Sequence, residues 1–166
     1  PDVEDQPQYF TDLPEGTGMG SLLVINNISG LEEGDEIGLF DLNGVLENCI
    51  PEDGCTPTTD TEYGEILVAS GVVTGGQMEL TAVMSQDISD FGGPILNGAV
   101  DGNDIVIMVW DLSQDFEYQV DAVYEIGDGT YQDNGVSQIE SLDAYIYGCM
   151  DSEAINYYEY ATMDDN

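Results

Sequence analysis

Asp151, Asn156, Asp164 and Asp165 place four hard oxygen donors within one short segment near the C-terminus. Calcium takes about six to eight oxygen ligands, and such a segment with a few main-chain carbonyls supplies them. The expectation is a structural Ca²⁺ at this tail; the competing reading is that these residues only cap and turn the backbone. Two other acidic loops are weaker candidates: Asp101-Gly102-Asn103-Asp104, and Asp128-Gly129-Thr130 followed by Asp133-Asn134-Gly135. Asx residues next to glycine are ordinary turn chemistry, and neither loop has the twelve-residue spacing of an EF-hand.

These loops belong to a chain whose charge is one-sided. Among 166 residues there are 35 Asp and Glu and no Lys, Arg or His, a formal charge of −35. A chain of this length ordinarily carries about 20 Lys and Arg. No side-chain ion pair can form, so each carboxylate must be solvated, hydrogen-bonded or held by a bound cation. Like charges repel and loosen a compact state, and salt relieves this. The composition suits saline, calcium-bearing surroundings and offers trypsin-like proteases no cleavage site. It excludes nucleic-acid binding, which needs cations against phosphate, and equally the P-loop Lys and the Ser-His-Asp triad. Paired carboxylates suit glycoside hydrolysis, but with 35 acids no motif singles out a pair, so the chain reads as a non-enzyme.

Cys49 and Cys55 flank the turn-rich Ile-Pro-Glu-Asp-Gly and predict a local disulfide, two free thiols being the alternative. Asn27-Ile28-Ser29 is a glycosylation sequon. Trp110, Tyr118, Tyr124 and Tyr131 offer faces to a glycan, although the apolar run around Trp110 places that ring in the core. Tyr9 and Phe10 are the strong anchors of the first 18 residues. With Tyr157, Tyr158 and Tyr160, they are candidate interface residues.

The elements that must position these residues are strands. Residues 1–18 are polar and Pro-rich, an extended arm or linker. Residues 19–147 alternate short apolar runs with Gly/Asp/Asn turns. The runs fall at Ser21–Ile25, Glu36–Phe40, Glu65–Ser70, Met78–Met84 and Ile105–Trp110. Leu42-Asn43-Gly44 reads as a hairpin turn. Phe116–Ile126 shows the cleanest alternation of period two and reads as one strand, and Val136–Ile146 as a last one. The prediction is an all-β sandwich of jelly-roll-like course. Residues 148–166 form a short, mostly irregular appendage, with one helical turn at Ser152–Ile155 capped by Asp151. No apolar run is long enough for a membrane helix, so no membrane insertion is expected. The start Pro1-Asp2 is not signal-like, which suggests a mature product or an excised segment.

Gly148-Cys149-Met150-Asp151-Ser152-Glu153-Ala154-Ile155-Asn156-Tyr157, with Ala161, Asp164 and Asp165, resembles a short acidic repeat of secreted proteins from marine Bacteroidota and some marine viruses. Its pattern is G-C-x-D-x-x-A-x-N-Y, then Ala, then D-D-G-S-C, and nine positions match over 18 residues. The stretches Gly34–Asp41 and Ile105–Asp111 are similar to strands of the modules that precede such repeats. The resemblance implies secretion, surface display, modular arrays and a second cysteine, beyond Asn166, as the partner of Cys149. It implies no catalytic activity.

The function expected from the sequence is therefore an extracellular or cell-surface structural subunit of a filament, sheath or modular adhesin. Copies of the chain, or neighbouring modules, would join head to tail by strand or arm exchange, supported by divalent cations. The alternative is a carbohydrate- or mineral-binding module of a larger secreted protein.

Overall fold

The apolar residues at alternate positions of the early strands all turn to one side. In β1 (Gly20–Ile25) Ser21, Leu23 and Ile25 are buried between half-exposed neighbours. In β5 (Met78–Val83) Met78, Leu80 and Ala82 are buried, while Glu79 and Thr81 face water. Strands with one buried face in this pattern fix their own register, because a one-residue slip would expose the whole set. A computed structural model describes residues 5–47 and 49–165, with Glu47 as backbone only, so residues 1–4 of the expected arm and Asn166 of the tail lie outside it.

The described residues form an all-β fold of two four-stranded sheets and one two-stranded ribbon. The remaining strands are β2 (Ile28–Ser29), β3 (Glu36–Glu47), β4 (Glu62–Val72), β6 (Val106–Asp111), β7 (Phe116–Val120), β8 (Tyr124–Ile126), β9 (Val136–Ile139) and β10 (Leu142–Asp143). One sheet has the order β5-β1-β9-β8, the other β4-β3-β6-β7, and β10 pairs with β2. The β1–β9 and β2–β10 pairs are parallel; the other strand pairs are antiparallel. The two sheets enclose a single apolar cluster that includes Leu23, Ile37, Val68, Ile107 and Ile139. Fully buried Tyr131 joins it, and its hydroxyl donates to the Phe40 carbonyl at 2.8 Å.

Several expectations are corrected. Leu42-Asn43-Gly44 is not a hairpin turn: β3 runs through it as one strand, with a bulge between Asp41 and Gly44. Gly44 is required because a Cβ there would lie 2.9 Å from the Gly98 carbonyl oxygen and 2.4 Å from Ile66. The alternation over 116–126 is broken, since β7 and β8 belong to different sheets and residues 121–123 cross between them. Val123 accordingly stands 84% exposed. The expected strand 136–146 likewise divides into β9 and β10, in different sheets. Trp110 points away from the core, because Ile107, Val109 and Asp111 take the inward positions of β6. Ser152–Ile155 is a pair of hydrogen-bonded turns and not a helix, with Asp151 accepting from the Glu153 amide at 2.9 Å. A four-residue helix α1 (Pro57–Asp60), started by Pro57, had no sequence signal long enough to read.

Between β3 and β4, Cys49 and Cys55 are joined by a disulfide. It closes a loop with a sequence separation of 6, around a 3-10 turn at Pro51–Asp53. Loop-closure entropy for so short a ring gives about 2 kcal/mol of stabilisation. Cys49→Ser with Cys55→Ser should lower the unfolding free energy by about that amount, read in equilibrium denaturant unfolding as an earlier midpoint.

Candidate functional site

The outer face of the β4-β3-β6-β7 sheet carries a row of side chains fixed by strand register. Glu36 on β3 lies opposite Trp110 on β6, and Trp110 lies opposite Glu117 on β7. Gly38 and Phe40 continue the outward positions of β3. Apolar residues on both faces of β3 and β6 mean that something covers the outside as well as the core.

The cover is the N-terminal arm of the same chain. The Glu36 carboxylate accepts main-chain N–H bonds from Gln8, Tyr9 and Phe10, at 3.0 Å for Tyr9 and 2.9 Å for Phe10. Three N–H donors around one anion take the place of the cation this chain lacks. The Tyr9 ring lies flat on Trp110, with centroids 3.8 Å apart and planes 5° apart. Its hydroxyl donates to the Glu117 carboxylate, and that bond, with a smaller contribution from burial, pushes the phenol up to about 12. Phe10 is 4% exposed and sits edge-on to Phe40 at 5.8 Å. A Cβ on Gly38 would meet the Phe10 ring at 2.9 Å, so the absent side chain is the notch that receives it.

Beside the arm runs a groove of about 640 Å³ whose lining includes Tyr9, Leu13, Leu46, Ile66, Asn97 and Glu117. Among the described residues the arm adds no strand to a sheet edge: its backbone bonds to the sheet are those to Glu36. Residues 11–16 make only the local bonds Thr11 N–H to Tyr9 and Leu13 N–H to Thr11, among the described residues.

Three further carboxylates are buried, each saturated by neutral donors. Asp41, 1% exposed, accepts from the amides of Asn43 and Val100 at 2.8 Å and from Asn103 Nδ2 at 3.0 Å. Asp35 accepts from the amides of Glu32 and Leu112. Asp111 accepts from Ser113 Oγ and from the Gln114 amide and side chain. Asp35, Asp111 and Glu32 line a 310 Å³ cavity.

The acidic tail shows no carboxylate cluster: among the described residues no three Asp, Glu, Cys or His side chains form a metal-sized cluster. Asp164 and Asp165 are exposed, as is Asn156. Of the weaker set, Asp101 accepts from the Asp133 amide at 2.9 Å, which ties the two acidic turns together. Asp128 turns back on Thr130, Asn103 binds Asp41, and Asp104 bridges to Thr130. Cys149 has no disulfide among the described residues. Asn27 is exposed, with Nδ2 donating to the Glu140 carbonyl.

The tail folds back on the body. Tyr160 stacks on Phe116 at 4.0 Å and Tyr158 meets Tyr160 edge-on, while Tyr157 is 45% exposed. No family model, curated protein or solved structure matches the chain. The site therefore rests on its own geometry.

The suggested glycan face does not assemble either, because Tyr131 is in the core and Tyr118 donates to the Ala144 carbonyl at 2.7 Å. Burial raises the phenols of Tyr118 and Tyr131 above their usual value and pushes Tyr124 up to about 12. For these groups the folded form holds its proton after the unfolded chain, at about 10, has lost it. Stability from neutral burial is thus complete below pH ~10 and falls as pH rises towards the folded values. Phenolate absorbance should show these three tyrosines ionising late and together, coincident with loss of the folded circular-dichroism signal. Ionisation of all ten tyrosines near pH ~10 with the fold intact would contradict this burial.

Glu36, Gly38, Trp110 and Glu117 were missed as a site by sequence reasoning. Glu36 and Gly38 alternating with Ile37 and Leu39 read as an ordinary wet strand face, so no local signal marked the seat.

Proposed function

We propose that this chain is an extracellular structural module of a filament, sheath or modular adhesin, joined to copies of itself or to neighbouring modules and supported by divalent cations. The observation that carries the reading is the N-terminal arm, a polar, Pro-containing segment held on a sheet face by two of its aromatic side chains and by the sheet carboxylates of Glu36 and Glu117. Such a segment is a connector, able to hold a module in place without being woven into its sheets. The disulfide is compatible with an oxidising, extracellular setting, and no helix among the described residues is long and apolar enough to cross a membrane. The uncompensated acidic surface and the tail's resemblance to a calcium-type repeat supply the cation requirement.

Electron microscopy and sedimentation in calcium-containing saline, and again in chelator, test this. The expected result is fibres or strings of modules in calcium that shorten in chelator. Monodisperse single modules in both buffers would overturn it.

One observation favours a second reading. The 640 Å³ groove beside Tyr9 carries acceptors at Glu117, Glu65 and Asp12 over an apolar floor, which suits the hydroxyls and ring faces of a neutral glycan. Binding by isolated monomers on a glycan array, with and without calcium, would place the chain among carbohydrate-binding modules instead.

A further inference from the structure

Resting on the assembly reading above, we propose that the notched face formed by Glu36, Gly38, Trp110 and Glu117 is an interaction surface whose partner is residues 8–13 of a second copy of this chain. Neighbours are then joined by an arm laid across a sheet face, not by a strand added to a sheet edge.

Four features of the arm support exchange. Its anchors are concentrated in three consecutive residues, Gln8, Tyr9 and Phe10, and every partner they use on the sheet lies at least 26 residues away in sequence. The seat is thus a complete binding site without the covalent link. The segment between anchor and body, residues 11–16, has no hydrogen bond to the body among the described residues. Anchorage resumes at Thr17, whose hydroxyl donates to the Met84 carbonyl. Six such residues span up to about 20 Å when extended, and Pro14 favours the extended form.

The same contacts form within one copy or between two, so exchange costs no interface. The balance is set by local concentration and by charge repulsion between copies. Salt, calcium and a shared surface or fibre all tip it towards exchange. Because the seat on one copy and the arm on the next are different patches, the contact is heterologous and propagates into a chain unless the rotation closes.

Complementation between two full-length variants tests this in sedimentation at high salt. Tyr9→Ala with Phe10→Ala disarms the arm and leaves the seat empty. Gly38→Leu fills the notch and leaves the arm free. Each variant alone should remain monomeric, and an equimolar mixture should give a species of twice the mass that grows no further. Wild-type protein should extend beyond that species. If the mixture stays monomeric while wild-type protein still assembles, arm exchange is wrong and the modular reading survives on another surface. If wild-type protein stays monomeric in calcium and in salt, both fail. Should Gly38→Leu not fold, Trp110→Ala, which leaves β3 untouched, decides the same question.

Discussion

Transfer from calcium-containing saline to chelator at ~0.01 M ionic strength should lower the thermal midpoint of this protein by about 10 °C, the shift that a loss of ~3 kcal/mol gives a domain of this size. The reason is geometric. A folded chain of 166 residues has a radius of gyration of about 15 Å. At ~0.01 M the Debye length is about 30 Å, so every carboxylate feels every other. At ~0.15 M it is about 8 Å, and only close neighbours repel. With no cationic side chain there is no internal attraction to offset the sum. A calorimetric scan across ionic strength measures the shift, and a calcium series at constant ionic strength separates screening from binding. Recovery by monovalent salt alone assigns the effect to screening; recovery by calcium at fixed ionic strength assigns it to bound ions. An unchanged midpoint in chelator and nearly ion-free water would remove the basis of the cation-supported reading.

Asp41→Ala should be strongly destabilising, lowering stability by about 3 kcal/mol, the cost of leaving the Asn43 and Val100 amides without an acceptor, while Asn103 Nδ2 keeps the Asn43 carbonyl. Asp41 sits at the bulge of β3 and reaches 59 residues forward to the Val100 amide and 62 to Asn103. One carboxylate therefore pins the long loop before β6 to the strand it crosses. Asp41→Asn keeps one acceptor oxygen and should cost about half as much. Urea unfolding in physiological salt measures both, and a shift in midpoint with constant slope identifies a native-state effect. If Asp41→Asn equals wild type, relief from burying an unpaired charge has balanced the lost bond, and the carboxylate is not what holds the loop.

The strands that were legible in sequence are those with one wet face, where polar and apolar residues alternate, as in β1 and β5. Gly44 misled because glycine marks a turn and also a place where two backbones approach closely, and only the neighbouring Gly98 distinguishes the two. The alternation from Phe116 to Ile126 misled differently: period two continues unchanged while the chain passes from one sheet to the other. Nothing local reports which partner a strand has. Asp41 and Glu36 could not be recognised among 35 acids, since what makes them special is a set of amide donors contributed from far along the chain. Tyr9 and Phe10 were legible as anchors but not their seat, which is assembled from three strands.

The parallel pairing of β1 with β9 has a mechanical consequence. β1 begins just after the arm, and β9 ends shortly before the tail. The two strands run the same way side by side over Leu22–Ile25 and Val136–Ile139. Tension entering through the arm pulls β1 from its start, and tension leaving through the tail pulls β9 from its end. The two forces oppose along a common axis, so the rungs between these strands are sheared together instead of being unzipped one at a time. A string of such modules would resist stretching at its centre even while its outer segments detach.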